Sequence, residues 1–77
     1  MAMKELVEYV AKALVEDASQ VHVSEVVAGA NVHLELMVAP ADRGRVIGQN
    51  GRIANAIRSL LWVAAAQEGR HVTFDIV

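Results

Sequence analysis

Seventy-seven residues, 55% of them hydrophobic, suffice for one compact domain with a real core and argue against disorder. The chain has no cysteine, which excludes disulfides and thiolate metal sites. A net charge of −2 excludes a uniformly basic nucleic-acid binder, and no stretch approaches the ~20 apolar residues of a membrane span.

In chain order, residues 4–16 place Leu6, Val7, Val10, Leu14 and Val15 at helical spacing, with Lys4, Glu5, Glu8 and Lys12 elsewhere. The start reads straight into this helix from Met1, with no apolar leader of signal-peptide type, so a cytoplasmic protein is expected. From Val21 the period changes to two, disturbed at Val26-Val27, where a bulge is expected. After a turn at Ala28-Gly29-Ala30-Asn31, Val32, Leu34, Leu36 and Val38 alternate with His33, Glu35 and Met37. The two strands should pair as an antiparallel hairpin. Pro40 is expected to end the second strand, because it has no N–H for a ladder. Asp42 to Ile47 reads as a short helical segment closing at Gly48, followed by a longer helix from about Arg52 to Gln67. The apolar stripe of that helix is Ile53, Ile57, Leu60, Leu61 and Ala64, and Gly69 is its expected stop. Val72, Phe74 and Ile76 alternate with His71, Thr73 and Asp75 in a third strand.

The order is α-β-β-α-α-β. The helical connection between strands two and three lets them lie parallel through a right-handed crossover. One apolar face per strand and one stripe per long helix predict an α+β domain over residues 1–77. Its helices should pack on one face of a three-stranded mixed sheet.

Charge is distributed unevenly. Arg43, Arg45, Arg52 and Arg58 fall in a window without any acid, while every Asp and Glu lies outside it. Such a patch on an acidic body can bind a polyanion, although small arginine clusters are also common on ordinary surfaces. Within the window sits Gly48-Gln49-Asn50-Gly51. Terminal glycines let the backbone turn sharply and let a partner approach closely. The N–H groups opening the next helix, aided by its dipole, suit a phosphate. Arg45 and Arg52 flank the loop with charge, and Ile47 and Ile53 offer a floor for an unstacked base, as single-stranded RNA requires. Two glycines at this spacing also serve as a plain helix-loop-helix corner, so the loop gains its meaning from its place between two helices.

The run Gly44-Arg45-Val46-Ile47-Gly48-Gln49-Asn50-Gly51-Arg52, continued by Ile53-Ala54-Asn55-Ala56-Ile57-Arg58, resembles the KH motif of the small bacterial KhpA family over almost the whole chain. The resemblance implies a type II KH fold and single-stranded RNA held across the loop. It also implies no catalysis, and either self-association or pairing with a KhpB-like protein. Carried over, it makes Arg45, Ile47, Gly48, Gln49, Asn50, Gly51, Arg52, Ile53 and Asn55 the RNA-contacting positions, beside a groove for about four nucleotides. A role as an RNA chaperone or post-transcriptional regulator follows from the same likeness. One departure stands out. Family loops usually carry Lys or Arg at a middle position, whereas Gln49 and Asn50 are amides. They hydrogen-bond phosphate but release no counterions, so binding should be weaker and less salt-sensitive, with charge supplied by Arg45 and Arg52.

His22, His33 and His71 fall on polar strand positions without ligand spacing, so exposed histidines are expected there rather than a metal site. Trp62 lies opposite Ile53 on the long helix, on the face of Asn55 and Arg58. It is either a second buried contact or, as we expect, an anchor for a partner chain. Leu60-Leu61-Trp62-Val63 cannot all sit on one stripe. No P-loop, nucleophile-base set or small-molecule site is visible, and no cofactor is implied. The competing reading is a KH-shaped module acting mainly through a partner protein.

Overall fold

The computed structural model describes residues 2–77; the Met1 start of the first helix lies outside the described residues. The order is α1 (Met3–Leu14), β1 (His22–Ala28), β2 (Asn31–Met37), α2 (Arg43–Ile47), α3 (Arg52–Gln67) and β3 (His71–Ile76). Single 3-10 turns at Ala18–Gln20, Pro40–Asp42 and Gln49–Gly51 join them. The sheet runs β1-β2-β3, with β1 antiparallel to β2 and β2 parallel to β3.

Both long helices form around their apolar positions. In α1, Met3, Val7 and Ala11 are buried at i, i+4 spacing, with Glu5 in the first turn and Lys12 in the last, each suited to the helix dipole. In α3 the buried line is Ala54, Ile57, Leu61 and Ala65. These side chains meet Val32, Leu34, Leu36, Val72 and Phe74 from one face of the sheet, and Val46 from α2, in a single core. Leu34, Leu36, Leu61, Val7, Val32 and Val46 are fully buried, at about 1.5–3 kcal/mol of transfer free energy for each large side chain. The opposite face, with His22, Ser24 and Val26 on β1 and His33, Glu35 and Met37 on β2, carries no helix and stays open.

Four sequence expectations need correction. No bulge interrupts β1: Val26 pairs with His33 and Val27 with Val32 in unbroken register. Nor is the apolar face of β1 continuous: Val23 is half-buried against the core, but Val26 lies on the open sheet face and Val27 is exposed near the hairpin turn. Leu60 is 53% exposed and lies off the buried line of α3. The buried line is rotated from the expected stripe and takes in Ala54 and Ala65. Pro40 does not stop β2, which ends earlier at Met37; it opens the 3-10 turn into α2 instead.

One buried polar group ties the fold together ahead of α2. Asp42, 3% exposed, accepts hydrogen bonds from the Glu16 and Asp17 backbone N–H groups, both at 3.1 Å, and pairs with Arg45 Nε at 3.3 Å. It thereby fixes the end of α1 to the start of α2 across 26 residues of sequence. Nearby, a hydrogen bond from the Ser19 hydroxyl holds the Asp17 carboxyl below the usual carboxylate range, aided by Gln20 and the Ser19 N–H. Asp42→Ala strands two backbone donors and should cost about 2 kcal/mol of stability in urea unfolding. An unchanged midpoint would show that the staple contributes nothing.

Candidate nucleic-acid interface

The crossover between β2 and β3 carries the loop. α2 ends at Gly48, whose N–H donates to Gly44 O at 2.9 Å. Gly48 then adopts φ 76°, Asn50 φ 58° and Gly51 φ 74°, three left-handed φ values within four residues. The two glycines are needed for different reasons. A Cβ on Gly48 would stand 2.7 Å from Ile53 Cγ1 and 2.9 Å from the Ile53 backbone N, so the loop is pressed against the first turn of α3. A Cβ on Gly51 would meet only Asn55 Nδ2, at 3.8 Å, so there the constraint is the backbone angle alone. Asn50 is the non-glycine residue type that best tolerates this region.

The sequence expectation that the N–H groups opening the helix point to a ligand holds only in part. Gly51 N–H is used by Gly48 O at 3.1 Å and Arg52 N–H by Gln49 O, which closes the loop on itself. The N–H groups of Gln49 and Asn50 engage no backbone acceptor among the described residues. Both residues are exposed, and their side-chain amides stand beside them. Donors for an oxyanion are therefore concentrated at the two middle positions of the loop.

The flanking residues divide. Arg52 is exposed and joins no ion pair among the described residues, so its charge is available at the rim. Arg45 is held from the other side, by Glu16 Oε1 at 2.8 Å and Asp42 Oδ1 at 3.3 Å. Those carboxylates come from outside the acid-free window, brought back by folding, and they offset much of the charge Arg45 would lend. Ile47 and Ile53 are half-buried, with Ile53 packed on the core, which leaves part of each to floor a groove. Asn55 is exposed one turn into α3, where its Oδ1 accepts from Arg58 Nη1 at 2.8 Å.

Arg58 was seen in the sequence only as part of a charge cluster. Its Nη2 donates to Phe74 O at 3.1 Å and its guanidinium carbon lies 6.0 Å from the Phe74 ring centroid, so it bridges α3 to the edge strand β3. Arg58 thus lies on the side of α3 that faces β3, and is joined through Asn55 to the turn of helix that follows the loop. Only the i, i+3 spacing of Asn55 and Arg58 hinted at this, since the β3 partner is remote in sequence.

With this geometry in hand, similarity to known proteins is decisive. The family model described as the KhpA/KhpB KH domain matches residues 4–76. The chain belongs to the KhpA/KhpB KH-domain family. Its α+β architecture is accordingly the type II KH fold, with helices on one face of a three-stranded mixed sheet. The chain is 49% identical to the RNA-binding protein KhpA of Clostridium perfringens over 75 residues, 97% of this chain and 100% of that protein. It is 48% identical to the RNA-binding protein KhpA of Clostridium acetobutylicum, with the same shares covered. To the RNA-binding protein KhpA of Aquifex aeolicus it is 41% identical over 76 residues, 99% of this chain and 96% of that one. No solved structure matches it.

The KH loop geometry makes a stability prediction. Gly48→Ala combines a left-handed φ with a backbone clash and should cost at least ~2 kcal/mol, whereas Gly51→Ala bears the φ penalty alone, about 1–2 kcal/mol. Thermal unfolding of the two variants checks the ranking, and the reverse order would contradict the loop packing.

Proposed function

We propose that this KH-domain protein is a non-enzymatic RNA-binding module that grips single-stranded RNA at the Gly48–Gly51 loop. The observation that carries the reading is the pair of unengaged backbone N–H groups at Gln49 and Asn50, presented between two glycines; the strip between α3 and β3, past Asn55 and Arg58, is the channel proposed for the RNA. Backbone amides hold phosphate oxygens whatever the base, and the channel beside them leaves base edges free to be read. Arg52 supplies the long-range charge, Arg45 a smaller share, and Ile47 and Ile53 the apolar surface under the first bases; Asn55 offers a polar contact. The relatives named above are RNA-binding proteins by name, which supports this reading over a module that acts through protein contacts alone. Post-transcriptional regulation or RNA chaperoning, in the cytoplasm, fits such a grip. No helix of the described residues is long and apolar enough to cross a membrane.

A partner chain belongs to the same proposal. On α3, Leu60 is 53% and Val63 60% exposed, one turn apart on the side away from the channel. Two exposed large aliphatic residues on a helix suit pairing with a second copy of this chain or with a KhpB-like protein, since neither gains anything from water.

Two measurements test these points. Changing Gln49→Asp and Asn50→Asp together sets two carboxylates against phosphate, and filter binding of an unstructured RNA should fall at least ~100-fold with unfolding unchanged. Undiminished binding would remove the loop from the site. Leu60→Glu should shift the sedimentation of the free chain towards monomer while leaving its circular dichroism intact, and an unaltered profile would exclude that face as the pairing surface.

A further inference from the structure

Arg58 is not the last feature on this side of α3. One helical turn further along α3 a pocket of about 470 Å³ opens between the last turns of the helix and the start of β3, lined by Trp62, Ala66, Gly69, Arg70 and His71 among others. Its walls are fixed by the backbone. Ala65 O accepts the N–H groups of Glu68 at 3.0 Å and Arg70 at 2.8 Å, while His71 N–H donates to Ala30 O at 2.8 Å. Gly69, at φ 66°, allows the tight return.

Three observations select an occupant. First, Trp62 is 56% exposed on a domain with a single tryptophan, and at 100° per residue it points ~160° away from Leu60. It is therefore not part of the aliphatic side offered for pairing, and shares instead the face of Asn55 and Arg58. Second, the rim is cationic. Arg70 is exposed, with no ion pair or side-chain hydrogen bond among the described residues, and no carboxylate lines the pocket. Third, the pocket lies on the same side of α3 as Asn55 and Arg58. Since α3 and β3 run in opposite directions, Arg58 faces Phe74 and Trp62 faces the β3 start at Val72. At 1.5 Å per residue Trp62 stands about 16 Å along the helix from Gly51, within reach of the same strand.

We propose that this pocket is a nucleobase subsite: an unpaired base of the RNA held by the loop stacks on the Trp62 indole, with its phosphate near Arg70. An exposed indole beside an unpaired guanidinium suits a nucleotide, whose π-face and phosphate meet both at once. This rests on the RNA-binding reading above and extends the track past Arg58. Because the stack is indifferent to base identity, it adds affinity with little sequence preference, offsetting the weak charge of a Gln-Asn loop.

The single tryptophan makes the test direct. Titrating the chain with an oligouridylate of about eight nucleotides, within the site sizes usual for single-strand binders, should quench Trp62 fluorescence. The Gln49→Asp, Asn50→Asp chain should show no quench at the same concentrations. Trp62→Ala should weaken binding of that oligonucleotide roughly five- to twentyfold, in the lower range of base–aromatic stacking, and Trp62→Phe should restore most of it. If the wild-type chain binds with unchanged fluorescence and Trp62→Ala binds equally well, the subsite is overturned while the loop reading stands. Absence of any binding by wild type overturns both. A Trp62→Ala chain that sediments as a smaller species than wild type identifies Trp62 as a contact between copies and likewise overturns the subsite.

Discussion

Everything functional in this domain hangs on the parallel pairing of β2 with β3, from Asn31 opposite His71 to Leu36 opposite Ile76. Parallel neighbours cannot be joined by a tight turn, so the chain must travel back along the sheet before β3 can begin. The return is made by α2, the glycine loop and α3, whose buried line on Val32, Leu34, Val72 and Phe74 holds the crossover down. The loop is consequently a corner in a rigid path. Its backbone takes positive φ at Gly48, Asn50 and Gly51 to change direction, and at Gly48 close packing on Ile53 adds a second constraint.

The same pairing makes β3 an edge strand, open to contact from α3. Arg58 occupies the space between α3 and the edge by reaching the Phe74 carbonyl, which covers one backbone acceptor of the exposed edge. The opposite edge, β1, lacks such cover and keeps Val26 and Val27 in contact with solvent. The domain is therefore asymmetric, with Arg43, Arg45, Arg52 and Arg58 gathered on α2 and α3 and most of its carboxylates distributed over α1 and the strands. Asp42 lies where the two regions meet. By binding the Glu16 and Asp17 amides and Arg45 together it fixes the loop-bearing helix to α1, and draws one of the loop's two flanking arginines into a structural pair.

Much of this was legible in the residues. The switch from a period near four to a period of two located the helices and strands, because burial on one face of each element dictates those periods. Gly48 and Gly51 stood out because few residues accept φ above zero. The errors have physical sources too. In α3, Leu60 counts in the apolar stripe of the sequence, whereas the buried line runs through Ala54 and Ala65 as well as Ile57 and Leu61, with Ile53 and Ala64 at its margin. On β1, valines at 26 and 27 suggested a disturbed ladder, but an edge position left them exposed with the register unbroken. Arg45 read as a free cation because one acidic partner, Glu16, lies 29 residues away and the other, Asp42, stands just outside the acid-free window.

The sequence by itself determined the element order, the fold class, the loop and its family, since each is written in local periodicity or in a contiguous motif. Tertiary structure alone decided which loop N–H groups remain free, which flanking arginine is drawn into ion pairs, that Arg58 reaches Phe74, and that Trp62 and Arg70 line one pocket at the start of β3. Those properties depend on contacts between residues far apart in the chain, and the pairing of β2 with β3 is what brings them together.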